Sequence, residues 1–188
     1  MRENIFHDRF NLFFAIFVPQ NIDMKLRYPI VVLLFLSFAL NGCLKEDSQV
    51  FTCSGSAPKV TVPGSELLEI ESYLSKNSIT DAVKSDLGFY YKIVTPGTGA
   101  APTVCSNVTI YYKGSLLNGS IFDQTTNSAS TFPLSRLIVG WQYGLPLIKP
   151  GGKIILYLPP SLGYGAAGSP PTIPANSSLI FEISLVAA

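Results

Sequence analysis

The middle of the chain carries hydrophobic residues at the spacing of an amphipathic helix. Leu67, Ile70 and Leu74 recur at intervals of three and four residues. Ser65 is placed to cap the start of this helix, and Asn77 is suited to end it. One short amphipathic helix cannot bury a core by itself. We therefore expect this N-terminal helical segment, 65–88, to pack on the domain that follows or on a second copy of the chain.

After this segment the pattern changes to short runs of β-branched and aromatic residues separated by turn residues, which predict strands. Asn118-Gly119 is a strong hairpin signal, and 137–145 is the one short helical stretch. The predicted strands are 89–94, 108–113, 120–123, 153–158 and 178–186. They predict an α+β domain at 89–188, in which a mostly antiparallel sheet wraps around one short α-helix.

A separate apolar run, from Ile30 to Leu40, follows Lys25 and Arg27. Its eleven residues are too few to span a bilayer, but they suit the hydrophobic region of a secretory signal. The run ends in Leu-Asn-Gly-Cys, which resembles a bacterial lipobox in which Cys43 would be lipidated and become the mature N-terminus. We therefore interpret 1–42 as an upstream extension plus a lipoprotein signal peptide. A short membrane anchor or a buried helix is the alternative.

The residues after Cys43 extend this interpretation. Lys45, Glu46 and Asp47 resemble the surface-export signal of Bacteroidetes lipoproteins, although a solvated charge cluster explains them as well. The segment 43–64 is rich in Ser, Gly, Pro and Lys and is predicted to be a lipidated linker. The expected location is the cell envelope, with the protein lipid-anchored to the outer membrane and either periplasmic or surface-exposed.

Two cysteines, Cys53 and Cys105, follow the lipobox. In an oxidising envelope they are expected to form a disulfide, which would contribute about 4 kcal/mol on the chain-entropy model. Two unrelated buried thiols are the alternative. The chain has no Cys-x-x-Cys, so a redox role is not expected.

Composition and charge exclude several classes of function. With 47% hydrophobic and 13% charged residues the chain is too apolar to be disordered. Its 13 basic and 12 acidic residues leave no basic excess for binding nucleic acid. The single histidine, His7, precedes the predicted cleavage site, so the mature chain would have none. This excludes Ser-His-Asp and Cys-His catalysis and any histidine-ligated metal, and no cofactor is expected.

A series of short motifs runs from the second predicted strand, 108–113, into the last, 178–186. They are Tyr111-Tyr112-Lys113-Gly114, Asn118-Gly119-Ser120-Ile121-Phe122-Asp123, Phe132-Pro133-Leu134, Ile138-Val139-Gly140-Trp141-Gln142-Tyr143-Gly144, Pro160-Ser161-Leu162-Gly163-Tyr164-Gly165 and Ile173-Pro174-Ala175-Asn176-Ser177-Ser178-Leu179-Ile180-Phe181-Glu182. In this order and spacing they resemble the FKBP-type peptidyl-prolyl cis-trans isomerases. The resemblance implies an FKBP-like fold, proline-containing polypeptides as substrates, and inhibition by macrolides of the FK506 or rapamycin type.

The resemblance also implies a role for each pocket residue. Trp141 matches the floor of the pocket, Asp123 a carboxylate at its buried edge, and Tyr164 the tyrosine whose hydroxyl bonds a bound carbonyl. The backbone N–H of Ile138 matches a second donor. The implied catalytic residues are Asp123, Tyr164, Trp141 and Phe122, and the implied substrate-binding walls are Tyr112, Leu137, Ile138, Ile173 and Phe181.

The chemistry of such an enzyme agrees with the composition. Rotation about an X–Pro bond faces a barrier of about 18–20 kcal/mol because amide resonance must be broken. No covalent bond changes, so the reaction requires no nucleophile, metal or cofactor. An apolar pocket with few water molecules should bind the twisted amide better than either planar form, and a donor such as Tyr164 can hold the flanking carbonyl.

Other interpretations stay open. Without the order of the motifs, aromatic residues on strands would be assigned to an ordinary core. A non-catalytic peptide-binding or chaperone-like surface lipoprotein on the same fold is the alternative function. A hydrolase that uses Asp123 with Tyr164 is a more distant one, because the only other carboxylate after residue 88, Glu182, is predicted to lie in the terminal strand.

Overall fold

The structure is a computed structural model that describes Cys53 and residues 55–188. The predicted signal peptide, Cys43 and the charged residues that follow it lie outside this range. Within the range, no helix combines the length and the apolar character needed to cross a bilayer.

The described residues contain seven strands, which are β1 Val83–Lys84, β2 Tyr90–Thr95, β3 Asn107–Leu116, β4 Ile121–Gln124, β5 Ser130–Pro133, β6 Lys153–Leu158 and β7 Leu179–Ala187. They form one antiparallel sheet in the order β1-β2-β6-β7-β3-β4, and β5 pairs with the first half of β3. The predicted α+β class with an antiparallel sheet is confirmed.

The five strands expected from the pattern all occur, and their ends agree with the prediction to within three residues. The expected hairpin joins β3 to β4, where Gly119 has a φ of +88° that favours glycine. The strands β1 and β5 were not predicted. The first has only two residues, and the second ends at Pro133, which has no N–H to donate to a ladder.

The predicted amphipathic helix is α1, Gly64–Lys76, and its buried residues are Leu67, Ile70 and Leu74, as expected. The prediction of Ser65 as the N-cap is wrong. The helix begins two residues earlier than this cap implies because the extended Pro63 caps it, with its carbonyl accepting the N–H of Glu66 at 3.0 Å.

The helix α1 packs on the sheet that follows it, which is the first of the two arrangements expected. Ile70 and Leu74 form a buried cluster with Tyr157 of β6 and Ile180 of β7. Successive side chains of a strand point to opposite faces, so Phe181 and Leu156, next to these residues, face the main core. The sheet is therefore covered by α1 on one face and by the main core on the other.

A second helix, α2, Val139–Gly144, lies against the core face of the sheet and continues into a 3-10 turn, Leu145–Leu147. A side chain at Gly140 would collide with Leu158, and one at Gly144 would collide with Leu156. These two glycines, four residues apart, allow the helix to approach β6 closely. Their position brings Trp141 into the core, where only 4% of its surface is exposed.

The segment before α1 also contacts the domain. Cys53 and Cys105 are joined by a disulfide, with their Cα atoms 5.6 Å apart. Val60 and Val62 are half-buried against the main core, and the Tyr143 hydroxyl donates to the carbonyl of Pro58 at 3.1 Å. The end of the segment predicted as a linker is therefore packed on the domain.

Candidate functional site

A cavity of about 190 Å³ opens between α2 and the core face of the sheet. Most of its lining side chains are aromatic or aliphatic, and its two tyrosines and one aspartate add polar groups. The lining residues are Tyr112 on β3, Phe122 and Asp123 on β4, Phe132 on β5, Leu137, Ile138 and Trp141 at the start of α2, Tyr164 in the loop after β6, and Phe181 on β7.

The aromatic rings in this cavity meet edge to face. The Trp141 ring centroid is 5.3 Å from that of Tyr112 and 5.0 Å from that of Phe181. Phe181 in turn is 5.5 Å from Phe122, at an interplanar angle of 82°. Each such pair contributes about 0.5–1.5 kcal/mol beyond its burial. The contacts fix the ring orientations and produce a rigid apolar surface.

Gly114 creates the space in which two of these rings meet. A Cβ atom there would lie 2.5 Å from Cε2 of Phe122 and 2.8 Å from Cε1 of Phe181. Real Cβ atoms do not approach other atoms this closely, so only glycine fits without a shift of the rings. Gly114 belongs to the motif Tyr111-Tyr112-Lys113-Gly114, but nothing in the sequence indicates this role.

The residues that lead into the N-terminus of α2 supply both a wall of the cavity and a hydrogen-bond donor. The buried Gln142 side chain donates to the carbonyl of Leu137 at 2.8 Å and to that of Ser135 at 3.3 Å. These bonds hold the chain that leads to Ile138. Within the described chain the Ile138 N–H has no hydrogen-bond partner, as is usual in the first turn of a helix. It is available to an acceptor in the cavity.

A tyrosine and an aspartate meet at one side of the cavity. The Tyr112 hydroxyl donates to Oδ2 of Asp123 at 2.6 Å. Burial, and to a smaller extent this hydrogen bond, raise the pKa of Tyr112 well above its ordinary value. The hydroxyl therefore keeps its proton at physiological pH. The expectation that Asp123 lies at a buried edge is wrong, because β4 is an edge strand and Asp123 is exposed there.

Tyr164 borders the same opening and is 38% exposed. Burial, and to a smaller extent the charge of Asp123, raise the pKa of Tyr164. Its hydroxyl is therefore also a donor at physiological pH. Among the described residues no partner accepts from this hydroxyl. The geometry therefore leaves the Tyr164 hydroxyl free to donate beside an apolar surface.

Eight of the nine predicted site residues line the cavity, and Ile173 is the exception. Ile173 is 3% exposed and packs in the main core, where its N–H and C=O both bond to the backbone of Ser169. This bridge turns the side chain into the core. Phe132 lines the cavity although it was not predicted to do so. It lies at an alternating position of β5, a signal that a prediction of this strand would have supplied.

The polar groups do not form a hydrolytic pair. Asp123 bonds to Tyr112, not to Tyr164, and Glu182 lies on the other face of the sheet, paired with Lys113. In the described part of the chain, no three His, Cys, Asp or Glu side chains gather as metal ligands would. The arrangement is suited to bind an apolar ring in the cavity and to hold a neighbouring carbonyl through Tyr164 or Ile138.

Comparison with known proteins agrees with the family resemblance of the motifs. The family model described as FKBP-type peptidyl-prolyl cis-trans isomerase matches residues 99–186. The peptidyl-prolyl cis-trans isomerase Mip of Coxiella burnetii is 39% identical over 118 residues, which are 61% of this chain and 51% of that protein. FkpA of Escherichia coli is 42% identical over 119 residues, which are 62% of this chain and 44% of that protein. The chain thus spans about half the length of the curated relatives it matches.

Two solved structures are similar in fold as well as in sequence. The crystal structure of FkpA from Escherichia coli superposes with a TM-score of 0.59 at 38% identity, over 65% of this chain and 58% of that chain. A peptidyl-prolyl cis-trans isomerase from Pseudomonas syringae superposes with a TM-score of 0.58 at 31% identity, over 68% of this chain and 97% of that chain.

Proposed function

Because the chain belongs to the family of FKBP-type peptidyl-prolyl cis-trans isomerases, we propose that it accelerates the isomerisation of X–Pro bonds in proline-containing polypeptides. Its substrates are X–Pro segments of unfolded or flexible chains, with an apolar X that suits the aromatic walls. The observation that supports this most strongly is the cavity itself, in which Trp141, Tyr112 and Phe181 meet edge to face beside a free hydroxyl donor.

The mechanism follows from the exclusion of water by the cavity. The proline ring enters the space above Trp141, and the walls remove water from the amide. A planar amide carries more charge separation between O and N than a twisted one, so it loses more solvation in an apolar site. The site therefore binds the twisted form better than either planar form. Lowering the barrier by about 6–8 kcal/mol corresponds to a rate gain of roughly 10⁴–10⁶-fold.

The polar groups hold the substrate in place without taking part in bond making. The Tyr164 hydroxyl and the Ile138 N–H donate to carbonyls on either side of the X–Pro bond, so that rotation occurs about that bond alone. Asp123 accepts from Tyr112 and so fixes the orientation of one aromatic wall. No step moves a proton, which fits a site in which both tyrosines stay protonated at physiological pH.

A protease-free isomerisation assay on the full chain in detergent tests this proposal. Relaxation of a prolyl tetrapeptide from its cis-enriched state should be accelerated, and a macrolide of the rapamycin or FK506 type should abolish the acceleration. Binding of the peptide without acceleration would support the alternative, a non-catalytic peptide-binding or chaperone-like lipoprotein. If the chain shows neither binding nor acceleration, both functions are contradicted.

We further propose that the protein acts in the cell envelope, where it is lipid-anchored to the outer membrane through Cys43 and assists the folding of exported proteins. The signal-like run and the lipobox support this, together with a disulfide between Cys53 and Cys105 that suits an oxidising compartment. Mass spectrometry of the mature N-terminus would detect a diacylglyceryl cysteine at residue 43. An unmodified chain that begins at Met1 or Met24 would contradict the anchor.

A further inference from the structure

Two glutamates of α1 bind the loop that carries Tyr164 and the loop beside it, although α1 lies on the face of the sheet opposite to the cavity. Oε2 of Glu66 accepts the backbone N–H of Ser161 at 2.9 Å. One turn later, Oε2 of Glu69 accepts the hydroxyl of Ser178 at 2.6 Å, and Ser178 is only 4% exposed. Hydrogen bonds to a charged acceptor are stronger than neutral ones, so both contacts restrain the loops they reach.

The first of these loops carries Tyr164. Ser161 is the central residue of a 3-10 turn, Pro160–Leu162. The carbonyl of Pro160 accepts the N–H groups of both Gly163 and Gly165, at 2.9 and 2.8 Å. Tyr164 lies between these two glycines. Its backbone is therefore fixed to the turn, and the turn is held by Glu66.

The second loop supports the first. The carbonyl of Gly165 accepts the N–H of Asn176 at 3.0 Å. Asn176 stands two residues before Ser178, which Glu69 holds. The two glutamates thus act on two connected sides of the loop that presents Tyr164. Because the Tyr164 hydroxyl has no partner of its own among the described residues, its position depends on this backbone framework.

We propose that Glu66 is a positioning residue of the isomerase site, which holds the Tyr164 loop at the mouth of the cavity, and that Glu69 supports it from the adjoining loop. This inference rests on the proposed function. It assigns to α1 a role in turnover beyond packing: the helix sets the distance between the Tyr164 hydroxyl and the aromatic floor.

The same helix offers a matched control. Glu71 accepts hydrogen bonds from the Tyr90 hydroxyl at 2.8 Å and from Lys84 at 3.1 Å. Its partners lie on β1 and β2, at the edge of the sheet remote from β4. Glu71→Ala removes a bonded glutamate from α1 just as Glu66→Ala does, but it leaves the Tyr164 loop untouched.

The test measures kcat/KM of the full chain with Glu66→Ala, Glu66→Gln and Glu71→Ala. We expect Glu66→Ala to lower kcat/KM by about three- to tenfold. Glu66→Gln should restore most of this, because its amide oxygen can accept the same N–H. Glu71→Ala should change it less than twofold. In a Tyr164→Phe background, Glu66→Ala should not lower kcat/KM further, because the hydroxyl that Glu66 positions is already absent.

Hydrogen exchange provides a readout that does not require activity. The Ser161 amide should exchange faster in Glu66→Ala and not in Glu71→Ala. Equal losses of kcat/KM in both alanine variants, or additive effects of Glu66→Ala and Tyr164→Phe, would overturn the inference while leaving the proposed function intact. If the wild-type chain shows no isomerase activity, the proposed function fails. The same variants are then compared by titrating Trp141 fluorescence with a prolyl peptide, and equal affinities would overturn the inference.

Discussion

The substitution Gly114→Ala tests whether the aromatic cavity depends on one missing side chain. The added methyl group would lie 2.5 Å from Cε2 and 2.6 Å from Cζ of Phe122, and 2.8 Å from Cε1 of Phe181. These atoms belong to rigid rings that already pack edge to face at 5.5 Å. The methyl group can be accommodated only if the rings rotate or β4 moves away from β3.

The magnitude follows from overpacking in other cores. Inserting a methyl group into a well-packed site costs about 1–3 kcal/mol, which corresponds to a decrease in Tm of roughly 3–15 °C for a domain of this size. The cavity should suffer more than the fold, because the rings that move are its walls. We expect kcat/KM to fall about tenfold or more, and affinity for a rapamycin-type macrolide to fall with it.

Thermal unfolding, the isomerisation assay and macrolide titration would be applied to Gly114→Ala and to a control. Gly64→Ala is suitable, because a Cβ there meets no atom within 4 Å and Gly64 has an ordinary φ. Replacing Phe122 by Leu in the Gly114→Ala chain should recover part of the lost stability. Wild-type Tm and wild-type kcat/KM in Gly114→Ala would refute the argument that the rings occupy this space.

Four further results are expected. Tyr164→Phe should lower kcat/KM about five- to tenfold with unchanged Tm, because it removes a donor that has no partner within the described chain; unchanged kinetics would contradict its role. Trp141→Ala should destabilise the fold by about 3–5 kcal/mol in denaturant titrations, because it removes a buried ring and its two ring contacts. Cys53→Ser should cost about 4 kcal/mol and expose one new thiol to titration, since the bridge closes a separation of 52 residues. Burial raises the pKa of Tyr157 to about 12, so the stability that this group contributes should be present below pH 10 and lost as the pH rises through about 12. Tyr157→Phe should reduce this loss of stability at alkaline pH. If the variant loses stability over the same pH range as the wild type, the prediction is contradicted.

Local pattern is sufficient to predict the helices and five of the seven described strands. The spacing of Leu67, Ile70 and Leu74 identified the buried face of α1, and the runs of β-branched and aromatic residues identified five strands, because each of these signals lies within one element. The cavity lining is what the resemblance to the family, carried by the order of the motifs, implies. Together these gave the α+β class and eight of nine predicted lining residues.

The errors have both long-range and local causes. Asp123 is exposed because β4 lies at the sheet edge, a position that depends on how distant strands pair. Ile173 is turned into the core by a local bridge to Ser169, four residues earlier, which no hydrophobic pattern signals. The bond between Glu66 and Ser161 joins positions 95 residues apart, so no periodicity in the sequence could reveal it.

The position of β7 affects when this molecule can fold. Leu179–Ala187 is the last strand in chain order, yet it lies between β3 and β6 and joins the two halves of the sheet. Until a ribosome has released this strand, those halves have no ladder between them, and pairing across such long separations is intrinsically slow. A nascent chain of this design therefore cannot complete its sheet before β7 has been synthesised, and until then it stays in the unfolded state in which a translocon can pass a polypeptide.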